Sequence, residues 1–218
     1  MNYQAFLFDL NGTMIDDMPY HVKAWHRILN GLGANISMER MKAECYGKNH
    51  ELIERIFPGR FSEQEKDRMS QEKEQEYREQ FKPRLQLLPG LQDFLERSGR
   101  AGIKMAIGSA AIMSNIDFVL DNCGIRHFIK VVVSADDVKH SKPHPETFLT
   151  CADRLGVAPV QCLVFEDSPK GVETAAAAGM QAVVITTLHQ EDEFEGYSNI
   201  IGFKSDYRGL FETLIKKM

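Results

Sequence analysis

The chain has 218 residues, 43% apolar and 26% charged, a balance that fits soluble globular proteins and excludes wholesale disorder. A formal net charge of -5 opposes generic binding to nucleic acid, yet leaves room for a small phosphorylated ligand held by local cations. No apolar run approaches a membrane span, and Asp9 interrupts the only early one, so the default expectation is a cytoplasmic protein with no membrane partner and no obligate protein partner. The cysteines, Cys45, Cys123, Cys151 and Cys162, stand at irregular spacings without a metal-ligand pattern and read mostly as buried thiols of a reducing compartment.

In chain order, residues 3–8 read as a short buried strand that runs into Asp9-Leu10-Asn11-Gly12-Thr13. From Met18 to Gly31 the pattern turns helical, with Val22, Trp25, His26, Leu29 and Leu32 near helix spacing and Pro19 in the first turn. Ser37 to Cys45 and Asn49 to Phe57 read as two further short helices. Ser62 with Glu65 forms a capping-box signal for a long, highly charged helix ending near Phe81, which is expected to be mostly a solvated face. After Leu88-Pro89-Gly90 and a helix to Arg100 the rhythm changes. Strands at 103–107, 128–133, 161–165 and 181–185 alternate with helices at 111–122, 145–155 and 170–178. A last strand near 199–201 and a helix from Leu210 follow. Such βαβ alternation implies a parallel sheet covered on both faces. The expected fold is therefore α/β: a doubly wound, Rossmann-like parallel-sheet core of residues 1–17 and 83–218, with an all-helical cap of residues 18–82 inserted after the first strand.

Four spots fall at strand ends on one edge of such a core: Asp9 with Asn11, Ser109, Lys142, and Glu166-Asp167. Open α/β sheets place ligands at that edge. Each spot alone has an ordinary structural explanation. Asp9 and Asn11 can form an Asx turn, Ser109 can cap a helix starting near Ala111, and Glu166-Asp167-Ser168 can open the next helix. Together, two acidic sites, a hydroxyl and a lysine favour a divalent cation and a phosphate, and Mg²⁺ prefers such hard oxygen ligands.

Asp9-Leu10-Asn11-Gly12-Thr13, Gly108-Ser109, Lys142-Pro143-His144-Pro145 and Glu166-Asp167-Ser168 with Gly171, in this order, resemble the haloacid dehalogenase superfamily. The likeness is greatest to its β-phosphoglucomutase-like and small-phosphatase branch, and it covers nearly the whole chain. The resemblance implies that Asp9 is a nucleophile forming a phosphoaspartyl intermediate. It implies that Asp9, the Asn11 carbonyl and Asp167 bind Mg²⁺, with Glu166 positioning the metal or its waters. Ser109 would hydrogen-bond the phosphoryl group and Lys142 would neutralise charge.

The chain departs from that pattern at Asn11, where this branch normally carries an aspartate acid/base; an amide can neither donate nor accept that proton near neutral pH. His21 and Trp25 match a His and a Trp of the first cap helix, the latter also readable as packing. Tyr46 and His50 replace the Lys and Arg expected of a true mutase, and Lys48 is a possible substitute that reads equally well as a surface lysine. Three readings follow: a Mg²⁺-dependent phosphatase acting on a small phosphorylated metabolite and impaired at Asn11, a sugar-phosphate mutase, and a non-catalytic phospho-ligand binding protein.

Overall fold

The structure is a computed structural model and describes residues 3–215. The chain runs through β1 (Ala5–Phe8), α1 (Met18–Gly31), α2 (Met38–Glu44), α3 (Asn49–Ile56), α4 (Glu63–Phe81) and α5 (Leu91–Arg100). It continues with β2 (Lys104–Gly108), α6 (Met113–Asn122), β3 (Val131–Val133), α7 (Glu146–Leu155) and β4 (Cys162–Glu166). α8 (Pro169–Ala177), β5 (Gln181–Ile185), β6 (Ile200–Lys204) and α9 (Leu210–Ile215) complete it. By packing, it divides into two compact units, Met1–Asp16 with Gln86–Met218, and Asp17–Leu85.

The first unit is a six-stranded sheet in the order β3-β2-β1-β4-β5-β6, with every pairing parallel. β1 is central and buried along its whole length, which is why it shows no polar alternation. Successive side chains still go to opposite faces. Ala5, Leu7, Val164, Ala182 and Val184 pack with Phe148, Cys151 and Ala152 of α7 and with Val172 and Ala175 of α8. Phe6, Phe8 and Phe165 go the other way, to Phe94 of α5 and to Tyr207. There Phe8 stacks on Phe165 at 4.8 Å between ring centroids, and Phe94 lies 5.4 Å from both Phe6 and Tyr207. Each such aromatic contact adds about 0.5–1.5 kcal/mol beyond area burial.

The second unit contains α1 to α4. Val22, Trp25, Leu29, Met41, Leu52, Ile53, Phe57 and Met69 form its apolar core. Ser37 caps α2 through the Arg40 N–H at 3.1 Å, and Ser62 with Glu65 closes the expected capping box on α4.

Several sequence expectations need correction. α4 is not a solvated helix all round: Lys66, Met69, Lys73, Glu74, Tyr77 and Phe81 form a buried stripe along it. The charged members of that stripe hid its period. Ser109 does not cap α6, which starts at Met113 after Ile112; the Ser109 hydroxyl instead accepts the Ala111 N–H at 3.2 Å in a local turn. Residues 126–128 make a 3₁₀ turn, so β3 is shorter than expected, and β6 runs on to Lys204.

Candidate active site

The register places Phe8 opposite both Ile107 and Phe165, so the residues after them, Asp9, Gly108 and Glu166, sit side by side at the carboxyl ends of β1, β2 and β4. In this strand order the chain reverses its direction of winding between β1 and β4, leaving a crevice at that edge. Asp9 is anchored by its own N–H, which donates to the Phe165 carbonyl at 2.9 Å. The chain then folds sharply. The Leu10 carbonyl accepts the Met14 N–H at 2.9 Å, and the Gly12 carbonyl accepts the Thr187 hydroxyl at 2.5 Å. Asn11 is half-buried in this turn, paired across it with Ile15.

Lys142 reaches into the same edge. Its Nζ donates to Asp9 Oδ1 at 2.8 Å and to Glu166 Oε1 at 2.6 Å, and it lies 4.6 Å from the centre of the Phe148 ring. The other Glu166 oxygen, Oε2, accepts the N–H groups of Asp167 and Ser168 at 2.9 and 3.0 Å and the Ser168 hydroxyl at 3.0 Å. Both Glu166 oxygens are thus engaged. Asp167 is also buried and accepts the Thr13 hydroxyl at 3.3 Å. Ser109 is buried beside Asp9 and helps to hold its carboxyl down.

Three buried carboxylates therefore share a single ammonium. Burial first, and then the neighbouring Glu166, raise Asp9 to about 7 against the pull of Lys142. Asp167 is pushed well above the usual carboxylate range by burial, Glu166 and Asp9. Burial works against the Lys142 charge, but Asp9 and Glu166 outweigh it and hold the ammonium firmly protonated. An oxygen-rich cluster short of positive charge suits a hard divalent cation such as Mg²⁺.

Two glycines make this crowding possible. Gly12 has φ +74°, and a Cβ there would overlap the Asp167 carboxylate. A Cβ on Gly171 would overlap the Glu166 carboxylate, so α8 can approach β4 only with glycine at that position.

The cap residues singled out from the sequence lie in the second unit. His21 and Trp25 are both buried on α1, Trp25 within the apolar core. His21 sits in a polar cluster: Lys73 Nζ is 2.6 Å from Nδ1, and Asp17 Oδ2 is 3.3 Å from Nε2. Tyr77 donates to Asp17 at 2.5 Å and stacks on His21 at 3.8 Å. Glu74 accepts from Lys73 at 2.9 Å and from Asn49 at 2.8 Å. Burial opposes the Glu74 charge, but Lys73, His21 and Asn49 draw its carboxyl down to about 2. Tyr46 lies under the Arg55 guanidinium at 3.9 Å, Lys48 precedes α3 with its N–H on Glu51 at 2.9 Å, and His50 faces Glu63 and Asp67 at 3.0 and 2.9 Å.

Sequence reading missed Phe148 and Thr187, which help hold the site in shape, and named Thr13 and Ser168 only as members of their motifs. Their contacts are long-range or in tight turns. Only Ser168 carried a legible signal, as a hydroxyl three residues before Gly171, whose N–H it caps at 3.1 Å.

A parallel sheet with a carboxylate–lysine cluster at the carboxyl ends of its central strands, and helices inserted after the first strand, defines a hydrolase of the phosphoryl-transferring α/β class. Residues 6–185 match the family described as haloacid dehalogenase-like hydrolase, and the chain belongs to it; it is an enzyme of phosphatase type. It is 34% identical over 186 residues to fructose-1-phosphate phosphatase YqaB of Escherichia coli, covering 85% of this chain and 98% of that protein. It is 31% identical over 192 residues to hexitol phosphatase A of the same organism, covering 85% and 84%. The crystal structure of β-phosphoglucomutase from Clostridium difficile superposes with a TM-score of 0.87 at 28% identity, over 99% of this chain and 96% of that one. Phosphatases of this family generically use Mg²⁺. Among the described residues, no helix is long and apolar enough to cross a membrane.

Proposed function

We propose that the protein is a Mg²⁺-dependent phosphomonoester hydrolase for a small phosphorylated sugar or sugar alcohol, working through a phosphoaspartyl intermediate at Asp9. The observation that carries this reading is the Asp9–Lys142–Glu166 network at the strand ends, with Ser109 and Asp167 beside it. Asp9 and Asp167, with the Asn11 carbonyl, would hold Mg²⁺, which when bound offsets phosphoryl charge and orients the ester for in-line transfer. Glu166 then acts mainly by aiming Lys142. An Asp9 carboxylate oxygen attacks phosphorus, the ester P–O bond breaks, and the alkoxide leaves. Lys142 and Ser109 stabilise the phosphoryl oxygens during that transfer. Water then attacks phosphorus, releasing phosphate and restoring the Asp9 carboxylate.

Asn11 is the weak point of that sequence. Its amide cannot protonate the leaving alkoxide or deprotonate the water, so both protons must move through solvent, and turnover is slow. The sugar-phosphate class rests on the activities named for the Escherichia coli relatives. A mutase reading is less well supported. It needs cations to grip a second phosphate, whereas His50, Arg55 and Lys66 in the cap are committed to Glu63 and Asp67, to Glu44, and to Glu54 and Glu63. The free thiols Cys45, Cys123, Cys151 and Cys162 fit a cytoplasmic setting.

The deciding experiment compares phosphate release by the protein and by Asn11→Asp, with Mg²⁺, across hexose and hexitol phosphates. A gain of about 10²- to 10⁴-fold in the aspartate form is expected. Isomer formation without phosphate release would favour the mutase, and absence of turnover in both forms would favour a binding role.

A further inference from the structure

A second group of ligand-type side chains lies in the segment that carries Lys142. His140, His144 and Glu146 each offer one donor atom, and these atoms lie within 4.8 Å of one another. His140 Nδ1 is 2.9 Å from Glu146 Oε2, and His144 Nδ1 is 3.9 Å from the same oxygen. The two imidazole rings are 4.5 Å apart between centroids, with 37° between their planes. With metal–donor bonds of about 2.0–2.1 Å, tetrahedral coordination puts neighbouring donors roughly 3.3 Å apart. The observed separations bracket that value, so one ion can meet all three side chains with small rotamer adjustments.

The carboxylate of this group is already oriented. Glu146 accepts the N–H of Lys139 at 2.9 Å and that of His140 at 3.0 Å. Outer hydrogen bonds of this kind fix the aim of metal ligands. The side chains of His140 and His144 are 63% and 50% exposed, so an ion can reach them from solvent and keep water in its remaining positions. Protons balance simply. The His144 Nδ1 lone pair accepts the Glu146 N–H at 3.3 Å and would turn to the metal. At His140 the ion would take the place of the proton shared between Nδ1 and Glu146, which passes to solvent.

Two imidazoles and one carboxylate select borderline transition metals over Mg²⁺ or Ca²⁺, which prefer all-oxygen sites. We propose that His140, His144 and Glu146 form a binding site for a divalent transition-metal ion of the Zn²⁺ class, separate from the carboxylate cluster around Asp9. Because His140 and His144 flank Lys142, an ion held there would clamp both sides of that lysine. The proposal rests on the geometry of this segment and not on the phosphatase reading.

The test uses the full chain, stripped with a chelator and titrated with Zn²⁺ by calorimetry in saturating Mg²⁺. One Zn²⁺ site is expected, weakened at least about tenfold in both His140→Ala and His144→Ala. The visible absorption of the Co²⁺-loaded protein should fall with it. Both residues are exposed, so the variants should melt like the parent. The proposal is overturned if the parent takes up no Zn²⁺ in this titration, or if the double variant binds it unchanged, which would place the ion at the Asp9 cluster or the cysteines.

Discussion

The two units each bury a cluster of charges, and the clusters are built on opposite principles. In the second unit Asp17, His21, Lys73, Glu74, Tyr77 and Asn49 satisfy one another: Glu74 has two donors, Asp17 has two, and the Lys73 ammonium has both His21 and Glu74. In the first unit Asp9, Glu166 and Asp167 share Lys142, and two of the three carboxyls are driven up rather than down. A buried network that is satisfied holds its shape, whereas one short of positive charge is a place for a cation and an anionic substrate. Similar burial and similar residue types thus produce a satisfied network in one unit and a network short of positive charge in the other.

The largest effect expected from breaking this contrast is on chemistry. Asp9→Asn should lower phosphate release by about 10⁴-fold or more, since it removes the oxygen proposed to attack phosphorus. Next, Lys73→Met should lower unfolding free energy by about 3–5 kcal/mol, because it leaves buried Glu74 without its ammonium. Mg²⁺ should not restore that loss in urea unfolding; recovery with Mg²⁺ would show that the two clusters are not distinct in kind.

Lys142→Met sharpens the same comparison from the other side. It should reduce turnover by about 10²- to 10³-fold and destabilise the metal-free protein, and here added Mg²⁺ should restore stability by mass action.

The smallest effect, and the most discriminating, is in pH. Glu74 is held below its ordinary value near 4.5, so its contribution is complete above that pH and is lost as pH falls toward about 2. That shift corresponds to about 3 kcal/mol at most, and Glu74→Gln should flatten the acid limb. Asp9 is held above its ordinary value near 3.8, so its contribution in metal-free protein is complete below that pH and is lost as pH rises through about 7. Unfolding curves from pH 2 to 8, with and without Mg²⁺, should show both limbs, with Mg²⁺ acting only on the upper one.

Local chemistry was enough to read much of this protein. An apolar run ending in Asp9, the βαβ alternation and the turn residues specify a doubly wound sheet, because strand and helix periods are properties of short segments. Asp9, Ser109 and Glu166-Asp167 were visible for the same reason: each lies at a strand end, and parallel strands bring those ends to one edge, whereas Lys142 reaches it through the loop that follows β3 and a 3₁₀ turn. What only the tertiary structure decided is which charges are buried and with whom. Glu74 looked like an ordinary member of a solvated helix, and the burial of Lys73 and Glu74 depends on His21 of α1 and Asn49 of α3. Lys142 finds Asp9 across 133 residues of chain, and Glu166 uses one oxygen for that lysine and the other for its own turn. No local pattern encodes such pairings, because the free energy of a buried charge is set by the groups that surround it and not by its neighbours in sequence.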